Sequence, residues 1–273
     1  MAHQRYVPYS QASSRSLLTN ASRTVQEDRR PKRPSNAGAL LLTRDDFQLR
    51  LASSRDLQNE SSALVRRMYA WRGYKQTQQV EVRLANEATL QACRGEEVFG
   101  TLTVRYDSDA GLAADDLYRS ELDAYRSGGA RVAELTRLAV DPELGSKEVL
   151  GALFHGAYVF CGPLAGVTDV FIEVNPRHVA FYRRLLDFHQ AGEPKMCARV
   201  DALAVLLHVE VAYVGEQAAR CGGMDAQGKR SLYPYFCAPE EAAHLTRRVV
   251  AGDRRVDPSR GDRRARQRTA RSL

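Results

Sequence analysis

A chain of 273 residues, 44% hydrophobic and 27% charged, has room for one sizeable core or two small ones. Its five cysteines (Cys93, Cys161, Cys197, Cys221, Cys237) are odd in number and lack CxxC spacing, which argues against a disulfide framework or a structural zinc and for a reducing, cytoplasmic compartment. The net charge of +7 sits at the ends: residues 1–38 hold seven Lys/Arg against two Asp/Glu and residues 251–273 eight Arg against three Asp, so the body is mildly acidic and a nucleic-acid partner is not indicated.

In chain order, residues 1–38 mix Ser, Gln, Arg and three prolines without period and read as a disordered tail. The start MAHQRYVPYSQ has no apolar core of a signal peptide, and no apolar run along the chain reaches the ~18 residues of a membrane span. A single folded domain is expected over 39–250. Phe47, Leu49 and Leu51 alternate with polar residues and predict a first strand; a helix follows from Arg55 to Arg72, with Leu57, Leu64, Val65 and Met68 facing the core. Its end, RRMYAWRGY, sets Arg66, Arg67 and Arg72 among Tyr69, Trp71 and Tyr74, as snorkelling arginines of a helix end would be.

Strands are expected at Gln79–Leu84, Thr89–Arg94 and Glu97–Arg105, forming an antiparallel meander, then a helix over Asp115–Ser127 closed by Gly128 and Gly129. Two apolar strands, Val132–Val140 and Val170–Val174, are each followed by a helical pattern. Parallel strands joined by a crossover helix bind ligands at their carboxyl ends, which directs attention to the residues after Val140 and Val174. Asn175 caps the second helix, Pro176 starts it, and Phe188 ends it. Strands at Met196–Val200 and Leu203–Val211 and a helix from Pro239 to Val250 complete the domain, before an Arg-rich tail over 251–273 with almost nothing to bury.

The order Asn175, then a helix with Ala180, Phe181, Tyr182 and a terminal Phe188, resembles the last motif of the GNAT acyltransferase superfamily; the usual Gly before that Phe is Asp187 here, which puts the local helix end in question. The segments GTLTV (Gly100–Val104), ELTRLAVD (Glu134–Asp141), EVNPRHVAFYRRLL (Glu173–Leu186) and RSLYPYF (Arg230–Phe236) are similar to the long-chain N-acyl amino acid synthases, and Glu134-x-Thr136-Arg137 resembles, more remotely, the Glu-x-Ser-Arg strand of the acyl-homoserine lactone synthases. The resemblance spans roughly Leu57 to Val250. It implies an α/β GNAT-like fold, with a mixed central sheet, splayed parallel strands and flanking helices. It implies an N-acyltransferase that moves a long-chain acyl group to the amine of an amino acid or similar molecule, with the RRMYAWRGY helix end as a lid. A coenzyme A-dependent acetyltransferase, an acyl-homoserine lactone synthase and a non-catalytic acyl-binding scaffold stay open.

Acyl transfer to an amine needs a groove for the pantetheine arm, donors for the oxyanion and a base for the ammonium proton. The splayed edges Thr136–Val140 and Phe171–Asn175 are the expected groove, with backbone N–H groups near Leu138 and Val140 toward the thioester. Glu134 is the candidate base and Arg137 its partner. Strict alternation places the two on opposite faces, and a β-bulge between them would reunite them; otherwise one meets solvent and the other a neighbouring carboxylate. The resemblance makes Tyr182 the acid that protonates the departing thiolate, against a bland place in the core, with Asn175 and His178 nearby. Arg67, Arg72 and Arg137 are candidates for a substrate carboxylate, beside Trp71.

Leu102, Val104, Leu150, Phe154, Phe171 and Phe181 are the residues available to line an acyl tunnel, with Gly151 and Ala157 as small neighbours. No metal or resident cofactor is expected; the co-substrate is an acyl thioester. At the turn where coenzyme A enzymes of the superfamily cradle a pyrophosphate, this chain has DPELGSKEVL, with a lone Gly145 beside Asp141 and Glu143. That suits the single phosphate of a pantetheine on acyl carrier protein better than coenzyme A, so acyl carrier protein and an amino acid or small amine are the expected partners.

Overall fold

Two N-terminal strands, β1 (Ala39–Thr43) and β2 (Gln48–Leu51), form a hairpin at one edge of the sheet in the computed structural model, which describes residues 38–74, 86–226 and 230–252. The expected first strand is thus the second; the run ALLLT that precedes it has no alternation to announce it. Helix α1 (Arg55–Trp71) is capped by Ser54, which accepts the N–H of Leu57. The expected strand at Gln79–Leu84 and nearly all of both tails lie outside the described residues.

β3 (Glu87–Arg94) and β4 (Glu97–Tyr106) make the predicted meander, and α2 (Asp115–Ser127) follows with the predicted bounds. β5 (Val132–Val140), α3 (Lys147–Val159), a π-helical turn at Phe160–Leu164 and β6 (Asp169–Val174) form the crossover unit. Asn175 caps a 3-10 turn (Pro176–His178) that runs into α4 (Val179–Leu186). Then come β7 (His189–Gln190), β8 (Lys195–Cys197), β9 (Ala202–Glu210), α5 (Val211–Cys221), a 3-10 turn at Tyr233–Tyr235 and α6 (Pro239–Gly252). α5 was not expected, because Val211 continues the alternation of β9 although it already begins the helix.

The sheet order is β1-β2-β3-β4-β5-β6-β9-β7, with β8 on β9; β5–β6 is its parallel pair. One face carries Leu90, Leu102, Val104, Leu135 and Val170 against α3, α5 and the Tyr233 turn. The other is divided. Leu64, Val65 and Met68 of α1 pack on Ala139, while Tyr118 and Leu122 of α2 pack with Val132, Phe171 and Leu206. Burial at this scale supplies the main driving force, roughly 25 cal/mol per Å² of apolar surface.

Asp187 ends α4 at φ 55° and ψ 30°, the left-handed conformation that glycine takes without steric cost. The helix therefore stops as sharply as a glycine would stop it, and Phe188 turns into the core. Asp187→Val puts a β-branched residue in this conformation and should cost about 2 kcal/mol in urea unfolding. Asp187→Gly, which removes the charge that interacts with Tyr213, should stay within ~1 kcal/mol of the parent.

Candidate active site

The parallel ladder between β5 and β6 pairs Val132–Glu134 with Asp169–Phe171 and goes no further, so Leu135–Val140 and Ile172–Val174 run on as the two arms of a fork. On its other side β5 pairs Thr136 with Thr103 and Ala139 with Thr101, leaving Arg137 and Leu138 opposite Leu102. This is a β-bulge, one step beyond the interval between Glu134 and Arg137 where the sequence allowed for one, and Arg137 sits in it at φ 54°.

Glu134 lies at the crotch of the fork, 2% exposed. Its Oε2 accepts the backbone N–H groups of Ala113 (2.8 Å) and Ala114 (3.3 Å), from the loop that opens α2. Burial pushes its carboxyl up to about 7, against the opposing pull of Arg105. A carboxyl poised there can take a proton from an amine near neutral pH.

The bulge brings Arg137 back to the charged face, but its partner is not Glu134. Arg137 Nη1 donates to Glu87 Oε2 at 3.0 Å, and Arg105 donates to the same carboxylate at 2.6 and 2.8 Å. Glu87, Arg105 and Glu134 lie in one row across β3, β4 and β5. Thr136, two residues beyond Glu134 on the same face, has a buried Oγ1 without a hydrogen-bond partner. A buried hydroxyl without a protein partner calls for water or a ligand.

The carboxyl end of α1 lies beside the other arm. Tyr69 interacts with Arg72, Arg137 and Glu173, and burial raises its hydroxyl pKa; its ring meets Tyr74, over which Arg177 stacks at 4.9 Å. Tyr182 packs its ring on Phe154, Phe181 and Phe188, and its pKa is raised by burial first and by Tyr69 next. Arg72 is half-buried near Tyr182 and His178 and carries no carboxylate among the described residues, whereas Trp71, under its guanidinium, is 67% exposed. Arg67 is spent on Asp141, at 3.2 Å. Asn175 is structural: Oδ1 accepts the N–H of Arg177, and Nδ2 donates to the carbonyl of Leu203. His178 accepts from Arg177, and burial together with Arg177 and Arg72 lowers its pKa.

Leu138 and Val140 are half-buried on the free arm of β5. Below them the loop to α3 closes with Gly145 N–H on the Asp141 carbonyl, and Ser146 caps the helix. A Cβ on Gly145 would come within 2.6 Å of Val140 and 2.8 Å of the Asp141 carbonyl. The helix start is flanked by Asp141, Glu143 and Glu148.

An apolar cavity of about 30 Å³ lies under the opposite face, between Leu135 and Val170 of the fork strands, Phe154, Ala157 and Cys161 of α3 and its π-turn, and Val214 of α5. Of the six tunnel residues only Phe154 lines it. Leu102 and Val104 are core, Leu150 and Phe181 pack at its margin, and Phe171 belongs to the cluster beneath α2 on the other side of the sheet. Ala157 borders the cavity, but Gly151 does not: a Cβ there would meet Tyr235 at 2.5 Å.

Three functional-looking residues escaped the sequence. Glu173 lies on the second arm with both carboxylate oxygens on Arg199 at 2.7 Å, and Glu87 anchors Arg105 and Arg137. Each comes from a different strand or turn, and only the register of the sheet brings them together.

The mixed sheet, its forked parallel pair and the crossover helix behind it make a GNAT-like acyltransferase fold. The family model for the N-acyl amino acid synthase FeeM matches residues 60–210. The chain belongs to this family. The structure of FeeM, an N-acyl amino acid synthase from uncultured soil microbes, superposes with a TM-score of 0.55 at 26% identity, over 61% of this chain and 90% of that one. Escherichia coli ElaA (10% identity, TM-score 0.44, 59% and 97%) and the AHL synthase LasI (15% identity, TM-score 0.40, 60% and 89%) also match. No curated protein sequence matches the chain. Among the described residues no helix is long and apolar enough to cross a membrane.

Because burial raises the Glu134 carboxyl from 4.5 to about 7, the unfolded chain ionises first and the group lowers stability as pH rises between those values. Glu134→Gln should remove that slope. Urea unfolding should show the variant equal to the parent below pH 4.5 and more stable by roughly 3 kcal/mol above pH 7; parallel curves would contradict it.

Proposed function

We propose that the protein transfers a long-chain fatty acyl group from acyl carrier protein to the amine of an amino acid or similar small molecule, with Glu134 as the base. The buried carboxyl at the fork, held by two backbone N–H groups and poised near neutrality, carries this reading. The pantetheine arm enters between the free arms of β5 and β6 and pairs with exposed backbone as an added strand does. Glu134 removes a proton from the substrate ammonium, directly or through water. The free amine attacks the thioester carbonyl, and backbone N–H groups near Leu138 and Val140, with the Thr136 hydroxyl, receive the oxyanion. As the C–N bond forms, the nitrogen of the tetrahedral adduct gives its second proton to water. The C–S bond then breaks, the thiolate takes the Tyr182 proton, Tyr182 is reprotonated from solvent, and Glu134 releases its proton to solvent. The products are an amide and the free thiol of the carrier.

Of the three arginine candidates for the acceptor's carboxylate, Arg67 and Arg137 are already bound to Asp141 and Glu87. Arg72 is left for that carboxylate, at the α1 end that serves as the lid, with a planar fork suited to it. The acyl chain runs past Tyr182 toward the cavity behind Phe154 and Phe188. At about 30 Å³ that cavity must widen as the chain enters, since a long chain needs roughly 300 Å³ or more. The acidic, single-glycine turn before α3 favours one phosphate over a pyrophosphate.

Glu134→Gln should lower turnover ~10²-fold with the fold retained, as loss of a general base does. Tyr182→Phe should cost less, because a thiolate leaves tolerably without help. Assays with acyl carrier protein charged with fatty acids and a mixture of amino acids, read by mass spectrometry, provide the check. A folded protein that yields no N-acyl product would favour a binding scaffold. Calorimetry should find no tight binding of coenzyme A, and tight binding would reverse the assignment of the donor.

A further inference from the structure

Arg199 stands in the turn between β8 and β9, and its guanidinium reaches two further elements. Nη2 donates to both carboxylate oxygens of Glu173, on the second arm of the fork, at 2.7 Å. Nη1 donates to the carbonyl of Ala113 and, at 3.2 Å, to Asp116 at the start of α2. Ala113 is also the residue whose N–H holds Glu134. One cation thus joins the fork's second carboxylate to the peptide that grips its first.

We propose that Arg199 is a positioning residue for Glu134: it neutralises Glu173 and fixes the Ala113 and Ala114 donors, so that a negative charge can form at the crotch of the fork. This rests on Glu134 being the base.

The groups that face Glu134 are few. Arg105 lies directly across on β4, Glu173 and Arg199 come from the β6 and β9 side, and two N–H groups come from the loop before α2. Beyond Arg105, Glu87 and Arg137 form their own pair. Asp115 is held by Arg126 at 2.7 Å, and the Cys197 thiol beside Glu173 is kept neutral by burial and by that carboxylate. Without Arg199, the charge of Glu173 would confront Glu134 across a poorly solvated gap, and like charges there delay ionisation.

Carbon-13 NMR of protein labelled at the glutamate side-chain carboxyls reads this directly, with the Glu134 resonance assigned by its loss in Glu134→Gln. In Arg199→Gln its titration midpoint should rise by about one pH unit, as an unpaired neighbouring carboxylate demands. In Arg199→Gln with Glu173→Gln it should return toward the parent value, and Arg199→Lys should stay near it. The rising limb of the pH–rate profile should move by the same amount. The double variant loses the same packing as the single one, so a return of the midpoint assigns the effect to charge. Should Arg199→Gln fail to fold, Glu173→Gln alone should lower the midpoint. A midpoint unmoved in the folded variants would overturn the proposal. Parent-level turnover in Glu134→Gln would instead remove the base reading, and the titration result would stand apart from it.

Discussion

The geometry of this protein depends on one extra residue in β5. Arg137 and Leu138 share a single partner on β4, and Arg137 adopts the left-handed conformation that such a bulge can demand. A bulged strand bends and twists more strongly than its neighbours, so β5 and β6 part company just past Glu134 and Phe171. Parting leaves backbone donors and acceptors of both arms without the ladder they would otherwise join. Such groups must be satisfied by water or by another hydrogen-bonding partner, which is why the proposed pantetheine path runs between the two arms.

The fork also dictates where charge is buried. The face that α1 and α2 cover is unusually polar, with Thr89, Gln91, Thr101, Thr103 and Glu134 all buried. Most of these are satisfied: Thr89 and Thr103 bond across the strands at 2.9 Å, and Gln91 bonds Ser61 of α1 at 2.8 Å. Toward the crotch satisfaction thins out. Among the described residues Thr136 Oγ1 has no hydrogen-bond partner, and Glu134, 2% exposed, makes no direct ion pair. Such gaps cost stability.

Local pattern carried much of this into the sequence. The β5 strand and α2 appear with their expected limits because alternation in one and helical spacing in the other are properties of contiguous residues. The spacing of Glu134 and Arg137 left a bulge between them as one of two readings; the bulge forms at Arg137 and Leu138 instead, and the other reading, a neighbouring carboxylate as partner, holds for Arg137. The partner of Arg137 was not legible: Glu87 lies two strands away, and nothing local sets the register that aligns it with Arg105 and Glu134. Arg199 was hidden for the same reason: the sequence reads Met196–Val200 as a strand, whereas the strand stops at Cys197 and Arg199 falls in the turn after it. The tunnel residues show the limit most plainly. Phe154 and Phe171 read alike as apolar, yet the pleat sends Phe171 to the α2 side of the sheet while Phe154 faces the cavity. At Asp187 the chain carries a non-glycine residue in a left-handed conformation, which aspartate is among the residues to tolerate.

If the fork is the reaction centre and Glu134 acts at its crotch, a crystal structure with a non-hydrolysable acyl-pantetheine analogue should show the pantetheine arm lying between Thr136–Val140 and Ile172–Asn175, with the atom standing in for the thioester carbonyl oxygen near the backbone of Leu138 and a path from Glu134 to the place of the amine. An analogue bound elsewhere, with the two arms still empty, would contradict it.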